Sequence, residues 1–157
     1  MEAIAELKNI ALKSLEQRYP TFPKHAIPKP KYTDKTSNGL TKCIIDWIEF
    51  NGFQAERINS IGRQIDKRKV STDVLGNKRT IGSVTWTKGS GQIGTADISA
   101  TIKGRSIKIE VKCKATGDNY QSKGQITYQK KIEQAGGIYF IVRTFQDFYD
   151  WYNKFTR

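Results

Sequence analysis

The segment that most restricts the fold is residues 95–113, TADISATIKGRSIKIEVKC. In its second half Ile107, Ile109 and Val111 alternate with Lys108, Glu110 and Lys112. A period of two puts the first set on one face of a strand and the second on the other. ADISATI reads as the preceding strand, and Lys103-Gly104 as the tight turn that joins the two into an antiparallel hairpin.

The flanking patterns supply the remaining layers. Ile4, Leu7, Ala11, Leu12 and Leu15 recur at helical spacing over residues 2–18, and Pro20 stops that helix. All four prolines fall between residues 20 and 30, in a basic arm. The arm is either a linker with a domain boundary near residue 36 or a strap that packs back through Tyr19, Phe22 and Ile27. Leu40, Cys43, Ile44, Trp47 and Ile48 mark a second helix, with Thr41 or Ser37 as candidate caps and Asn51-Gly52 as its stop. Residues 53–58 read as a strand. The charged stretch from Ser60 to Gly82 is either a β-hairpin excursion or a mobile loop, and Val84 and Trp86 suggest a short strand after it. Beyond the central hairpin come the loop ATGDNYQ, a helix from Ser122 to Gly136-Gly137, the apolar strand IYFIVR and the aromatic helix FQDFYDWYNKF. After residue 36 the order is therefore α-β-β-β-α-β-α, the pattern of an α/β sandwich with a mixed central sheet flanked by helices.

Composition excludes several chemistries. His25 is the only histidine and lies among the prolines, so Ser-His-Asp and Cys-His catalysis and His-rich metal sites are excluded. Cys43 and Cys113 lack a metal-type spacing and read as reduced core residues. No run approaches the roughly 20 apolar residues of a membrane span, and the N-terminus lacks a secretory pattern; a cytoplasmic protein with no membrane partner is expected. A formal net charge of +12 points to a polyanionic partner, of which nucleic acid is the commonest. Trp47, Trp86 and Trp151 sit in periodic patterns that read as core.

One cluster of charges falls together. Glu110 and Lys112, two apart on a strand, leave the same face roughly 6–7 Å apart. The hairpin brings Asp97 alongside Glu110. Two converging carboxylates repel unless a cation lies between them, and hard oxygen ligands favour Mg²⁺ or Mn²⁺ over zinc. A lysine beside such an ion can stabilise charge on a phosphate or activate water.

In order along the chain, Gly94-x-x-Asp97, a hairpin, Glu110-x-Lys112, a loop with Ser122, a glutamine-bearing helix, a Gly-Gly turn and an apolar strand resemble the PD-(D/E)XK nuclease superfamily, in particular its VRR-NUC and Holliday-junction-resolvase-like branch. TKCIIDWIEFNGFQAERINS resembles that branch's first helix and second strand, so the likeness spans about residues 37–152. It implies a restriction-endonuclease-like core in residues 37–157, preceded by the helix and Pro-rich arm of residues 1–36. It further implies that Asp97 and Glu110 bind Mg²⁺ (or Mn²⁺) with the backbone carbonyl of Val111. Lys112 would contact the scissile phosphate and the nucleophilic water, and Gln125 would orient water or phosphate. Tyr128, a turn later, is expected to pack or to contact backbone. The family's first-helix glutamate has no counterpart here: the corresponding place falls near Asn38, Gly39 or Thr41. This favours a one-metal site. For DNA contacts the candidates are Arg57, Arg63, Lys88 and Lys114, the last expected on the face of Lys112. The expected activity is hydrolysis of DNA phosphodiester bonds, with branched or nicked DNA as the substrate by analogy and a homodimer if junctions are cut in pairs. The alternative is a nuclease-fold module that binds or packages DNA without cutting it.

Overall fold

Leu40, Cys43, Ile44, Trp47 and Ile48 form one buried stripe of the helix that anchors the core. In the computed structural model, which describes residues 2–59, 62–87, 89 and 92–157, the elements in chain order are α1 (Glu2–Arg18), α2 (Ser37–Phe50), β1 (Gln54–Arg57), β2 (Arg63–Asp66), β3 (Lys69–Thr72), β4 (Lys78–Ile81), β5 (Val84–Thr87), β6 (Ile98–Ile102), β7 (Arg105–Val111), α3 (Lys123–Gln134), β8 (Ile138–Val142) and α4 (Phe145–Thr156). The chain forms two compact units, residues 1–58 with 94–157, and residues 59–93.

The larger unit carries a four-stranded mixed sheet in the order β1-β6-β7-β8, antiparallel except for the β7–β8 pair. The β6–β7 turn places Lys103 at φ 49° and Gly104 at φ 73°, the two positive values that suit the twist of a two-residue hairpin. One sheet face is apolar: Ile98, Ala100, Ile102, Ile107, Ile109, Val111 and Val142 pack under α2 and α4. Its partners from the last helix are Phe145, Phe148 and Tyr152, with Trp47 edge-on to Phe145 and Tyr152. The opposite face carries α3, which meets the sheet through the edge-to-face pair Tyr128–Tyr139 at 6.3 Å. The fold is thus mixed α/β, with helices on both faces of the sheet.

The first 36 residues belong to this same unit. Ala3, Leu7 and Ala11 are buried, and α1 packs on α2 and α4. Ile27 is buried as the strap reading requires, but Tyr19 and Phe22 are half exposed. The arm is fastened further along. Tyr32 donates a 2.6 Å hydrogen bond to Asp46, while the Cys43 and Cys113 thiols approach the carbonyls of Thr33 and Asp34 at 3.6 and 3.3 Å. Both cysteines are free and buried, and burial pushes the Cys43 thiol up to about 11. The cap of α2 is neither Ser37 nor Thr41 but Thr36, whose hydroxyl accepts from Gly39 N–H at 3.0 Å. Thr41 instead donates back to the Ser37 carbonyl, the usual mid-helix option for threonine.

The smaller unit is β structure. β2 pairs with β5 and β3 with β4, both antiparallel. At the tip Asp73 accepts from Leu75 N–H and Asn77 N–H at 2.9 and 2.8 Å, and Gly76 adopts φ 82°. Trp86 is 63% exposed there, unlike Trp47, and departs from the core role expected of it. No helix among the described residues is long and apolar enough to cross a membrane.

Candidate active site

β6 begins at Ile98, paired with Ile109, so the ladder ends one residue short of Asp97. The Lys112 N–H points to β8, where it donates to Val142 O at 2.8 Å; Val111 N–H must therefore point toward β6. The Asp97 side chain takes over there, its carboxylate accepting from Val111 N–H at 2.9 Å. The Asp97 carbonyl in turn accepts from Ile58 N–H at 2.8 Å. Local sequence thus fixes this carboxylate at the end of the hairpin, beside residues 110–112.

Glu110 and Lys112 lie on the sheet face covered by α3, and both are buried, at 2% and 5% exposure. Their charged ends are 3.4 Å apart. Glu110 also accepts from the Gln125 side-chain amide and, at 3.4 Å, from the Tyr139 hydroxyl. Burial, reinforced by the negative charge of Asp97 and only partly offset by Lys112, raises the Glu110 carboxyl to about 7. Lys112 has a second partner, Asp118, at 3.1 Å. Burial pulls the ammonium down, but Asp118 and Glu110 together leave it above its ordinary value.

Gln125 belongs to the capping box of α3. Its amide oxygen accepts from Ser122 N–H at 2.8 Å, while the Ser122 hydroxyl accepts from Gln125 N–H at 3.3 Å. With the oxygen committed to a backbone donor, the NH₂ group is the end presented to Glu110. Gln125 therefore orients the carboxylate, and both ends of its amide are occupied. The same turn explains Gly94, at φ 83°: a Cβ there would lie 2.2 Å from Gly124 C and 2.5 Å from Gln125 N. Gly94→Ala is expected to push the start of α3 outward, cost about 1–3 kcal/mol and loosen Gln125 from Glu110; urea unfolding measures the first effect.

The other expected residues are more scattered. Arg57 pairs with Ile98, so it leaves the sheet on the apolar-face side, opposite Asp97 and Glu110. It is Glu56, paired with Ser99, that shares the Glu110 face, and pairing register rather than local sequence decides this. Lys114 is not on the face of Lys112. The chain turns into a 3-10 helix at Lys114–Thr116, and Lys114 instead lines a recess with Asp34, Lys35 and Arg143. Arg63 belongs to the smaller unit and is exposed. Lys88 lies outside the described residues. Tyr128 packs on Tyr139 as expected.

Two members of the cluster escape sequence reasoning. Asp118 sits in an irregular loop with no periodicity, and Tyr139 is hidden in the apolar run IYFIVR. The parallel register Lys108↔Tyr139 is what brings the tyrosine to the Glu110 face.

Chemically, the donor set fits a hard divalent cation in part. Asp97 and Glu110 supply two carboxylates, and the Val111 carbonyl points to the same side of β7 as its N–H, toward Asp97. Burial raises the Glu110 carboxyl most and the Asp97 charge adds to it, so a cation held between the two carboxylates would relieve the second part. Among the described residues no three His, Cys, Asp or Glu side chains gather into a metal-holding group, so an ion would complete its shell with backbone and water oxygens, as Mg²⁺ commonly does. Compared with family models, curated proteins and solved structures, the chain matches none.

Proposed function

We propose that the chain is a divalent-metal-dependent nuclease with a PD-(D/E)XK-type centre, hydrolysing DNA phosphodiester bonds with Asp97, Glu110 and Lys112. The observation that carries this reading is the junction of Asp97 with Val111, which sets a second carboxylate beside the buried Glu110–Lys112 pair. Buried charges of this kind stabilise a fold poorly and are kept where a site needs them.

Bound at Asp97, Glu110 and the Val111 carbonyl, Mg²⁺ or Mn²⁺ would supply positive charge to a phosphate and acidify water. The chain's own groups do the rest. Gln125 and Tyr139 hold Glu110 in place. Lys112 offers the ammonium that offsets charge building on the phosphate oxygens. Asp118, whose side chain is 54% exposed, covers Lys112 with an anionic group and gives way to the phosphate as DNA arrives.

The small number of acidic ligands favours a second reading, a DNA-binding module of the same fold that does not cut. Incubation with supercoiled plasmid and a four-way junction separates the two. With Mg²⁺ or Mn²⁺ the nuclease reading expects nicked or linear product, and none in EDTA, with unchanged circular dichroism. Binding to both DNAs without cleavage in either metal would establish the second reading. Preference for the junction, together with a dimer in sedimentation, would support a resolvase-like role.

A further inference from the structure

Residues 62–87 hold Arg63, Lys67, Arg68, Lys69, Lys78 and Arg79 against only Asp66 and Asp73. Their distribution over the smaller unit is uneven. The β2–β5 and β3–β4 pairs follow one register, Arg63↔Thr87 through Asp66↔Val84 and Lys69↔Ile81 through Thr72↔Lys78. The bond from Lys67 N–H to Ser83 O, 3.2 Å, bridges the gap between them. Residues 63–72 and 78–87 therefore form a two-stranded ribbon of two short ladders in one register, interrupted at Lys67 and Arg68 on one side and at Gly82 and Ser83 on the other, where Gly82 adopts φ 102°.

Alternation along that ribbon sorts the charges. Arg63, Lys67, Lys69 and Arg79 share one face, which carries no carboxylate. All four are exposed, and none makes an ion pair among the described residues. The other face carries Asp66, neutralised by Arg68 through bonds of 2.9 and 2.7 Å, together with Lys78 and the exposed Val70, Val84 and Trp86. Asp73 is spent on the tip turn. A ribbon ordered with four unpaired like charges on one side gains nothing from them in folding, since like charges repel. They are explained by an anion that lies along the ribbon.

We propose that this cationic face docks on the phosphates bordering the major groove of a DNA duplex, giving the nuclease reading a separate substrate grip. Size favours duplex DNA: strands about 4.8 Å apart form a ribbon that enters a B-form major groove about 12 Å wide. The major groove of duplex RNA is too deep and narrow to admit it. The proposal extends the function above, but its test needs no cleavage.

The full chain, in EDTA, is titrated with a fluorescent 24-base-pair DNA duplex over a series of KCl concentrations. Each lost phosphate contact should flatten the plot of log affinity against log salt by about 0.9. The quadruple variant R63Q/K67Q/K69Q/R79Q should flatten it by about 3–4 and the milder K67Q/K69Q by about 2, while Lys78→Gln on the opposite face leaves it unchanged. Unchanged slopes in both multiple variants would overturn the proposal. So would equal binding of a 24-base-pair RNA duplex, or a loss that merely follows dissociation of a dimer in sedimentation. If flattened slopes accompany a wild-type protein that never cleaves, the ribbon assignment stands and the nuclease reading fails; cleavage with unaffected slopes gives the converse.

Discussion

Replacing Lys112 by methionine is expected to slow metal-dependent cleavage about 10²–10³-fold, the usual loss when one preorganised charge is removed from a developing anion. Methionine keeps most of the side-chain volume at a position only 5% exposed, so packing survives and the charge alone is tested. The stability effect should depend on pH. Without Lys112, Glu110 loses the cation 3.4 Å away, and breaking a buried pair commonly costs about 3–5 kcal/mol. Glu110 escapes much of that penalty by staying protonated, since its carboxyl already lies near 7. The variant should therefore unfold close to wild type at pH 5 and well below it at pH 8. Single-turnover cleavage and thermal melts at the two pH values measure both effects. An equal loss of stability at both would mean that Lys112 acts by packing and not by charge.

The second large effect concerns Glu110 and has the opposite sign. Its carboxyl is about 7 in the folded chain against an ordinary 4.5. Between those values the folded state holds a proton that the unfolded state has released, so stability falls as pH rises through that window and the loss is complete above it. The shift corresponds to about 3 kcal/mol at most. Glu110→Gln removes this strain while its amide keeps an acceptor for Gln125, and Lys112 retains Asp118. In EDTA at pH 8 the variant should be more stable than wild type by about 1–3 kcal/mol, an advantage that vanishes near pH 4.5, and its cleavage should be lost. A variant less stable than wild type at pH 8 would show that Lys112 and Tyr139 compensate the Glu110 charge in full.

How much of this was legible in the sequence follows from which patterns burial imposes. Much of the order α-β-β-β-α-β-α of the larger unit is written in apolar spacing, because α2, β6, β7, β8 and α4 each bury a face in the same core. By contrast, α3 buries no residue and is marked by its Ser122 cap. The ribbon at residues 63–87 buries almost nothing, so its strands carry no such signature, and KRKVSTDVLGNKRT suits a hairpin and a loop alike. Glu110 and Lys112 could be placed on one face by counting, and Asp97 beside them by the hairpin. Arg57 could not, because its face depends on which β6 residue it opposes. Lys114 departs from the face that counting assigns to it, because the strand stops and the backbone turns at Cys113. Asp118 reaches Lys112 from a loop, and no local pattern announces such a contact. Gln125 was identified by position, but its orientation comes from the Ser122 cap, a backbone requirement that also explains the glycine at 94.

On the proposed reading, the Asp97 charge, set beside Glu110 and Lys112, makes this site a nuclease centre. Asp97→Asn tests it most directly, because the amide oxygen can still accept from Val111 N–H and keep the hairpin end intact. The measurement is single-turnover cleavage of plasmid DNA in Mn²⁺, with duplex binding measured in parallel. Folding and DNA affinity should equal those of wild type, with cleavage reduced at least about 10²-fold. Cleavage by Asp97→Asn at the wild-type rate would contradict that reading.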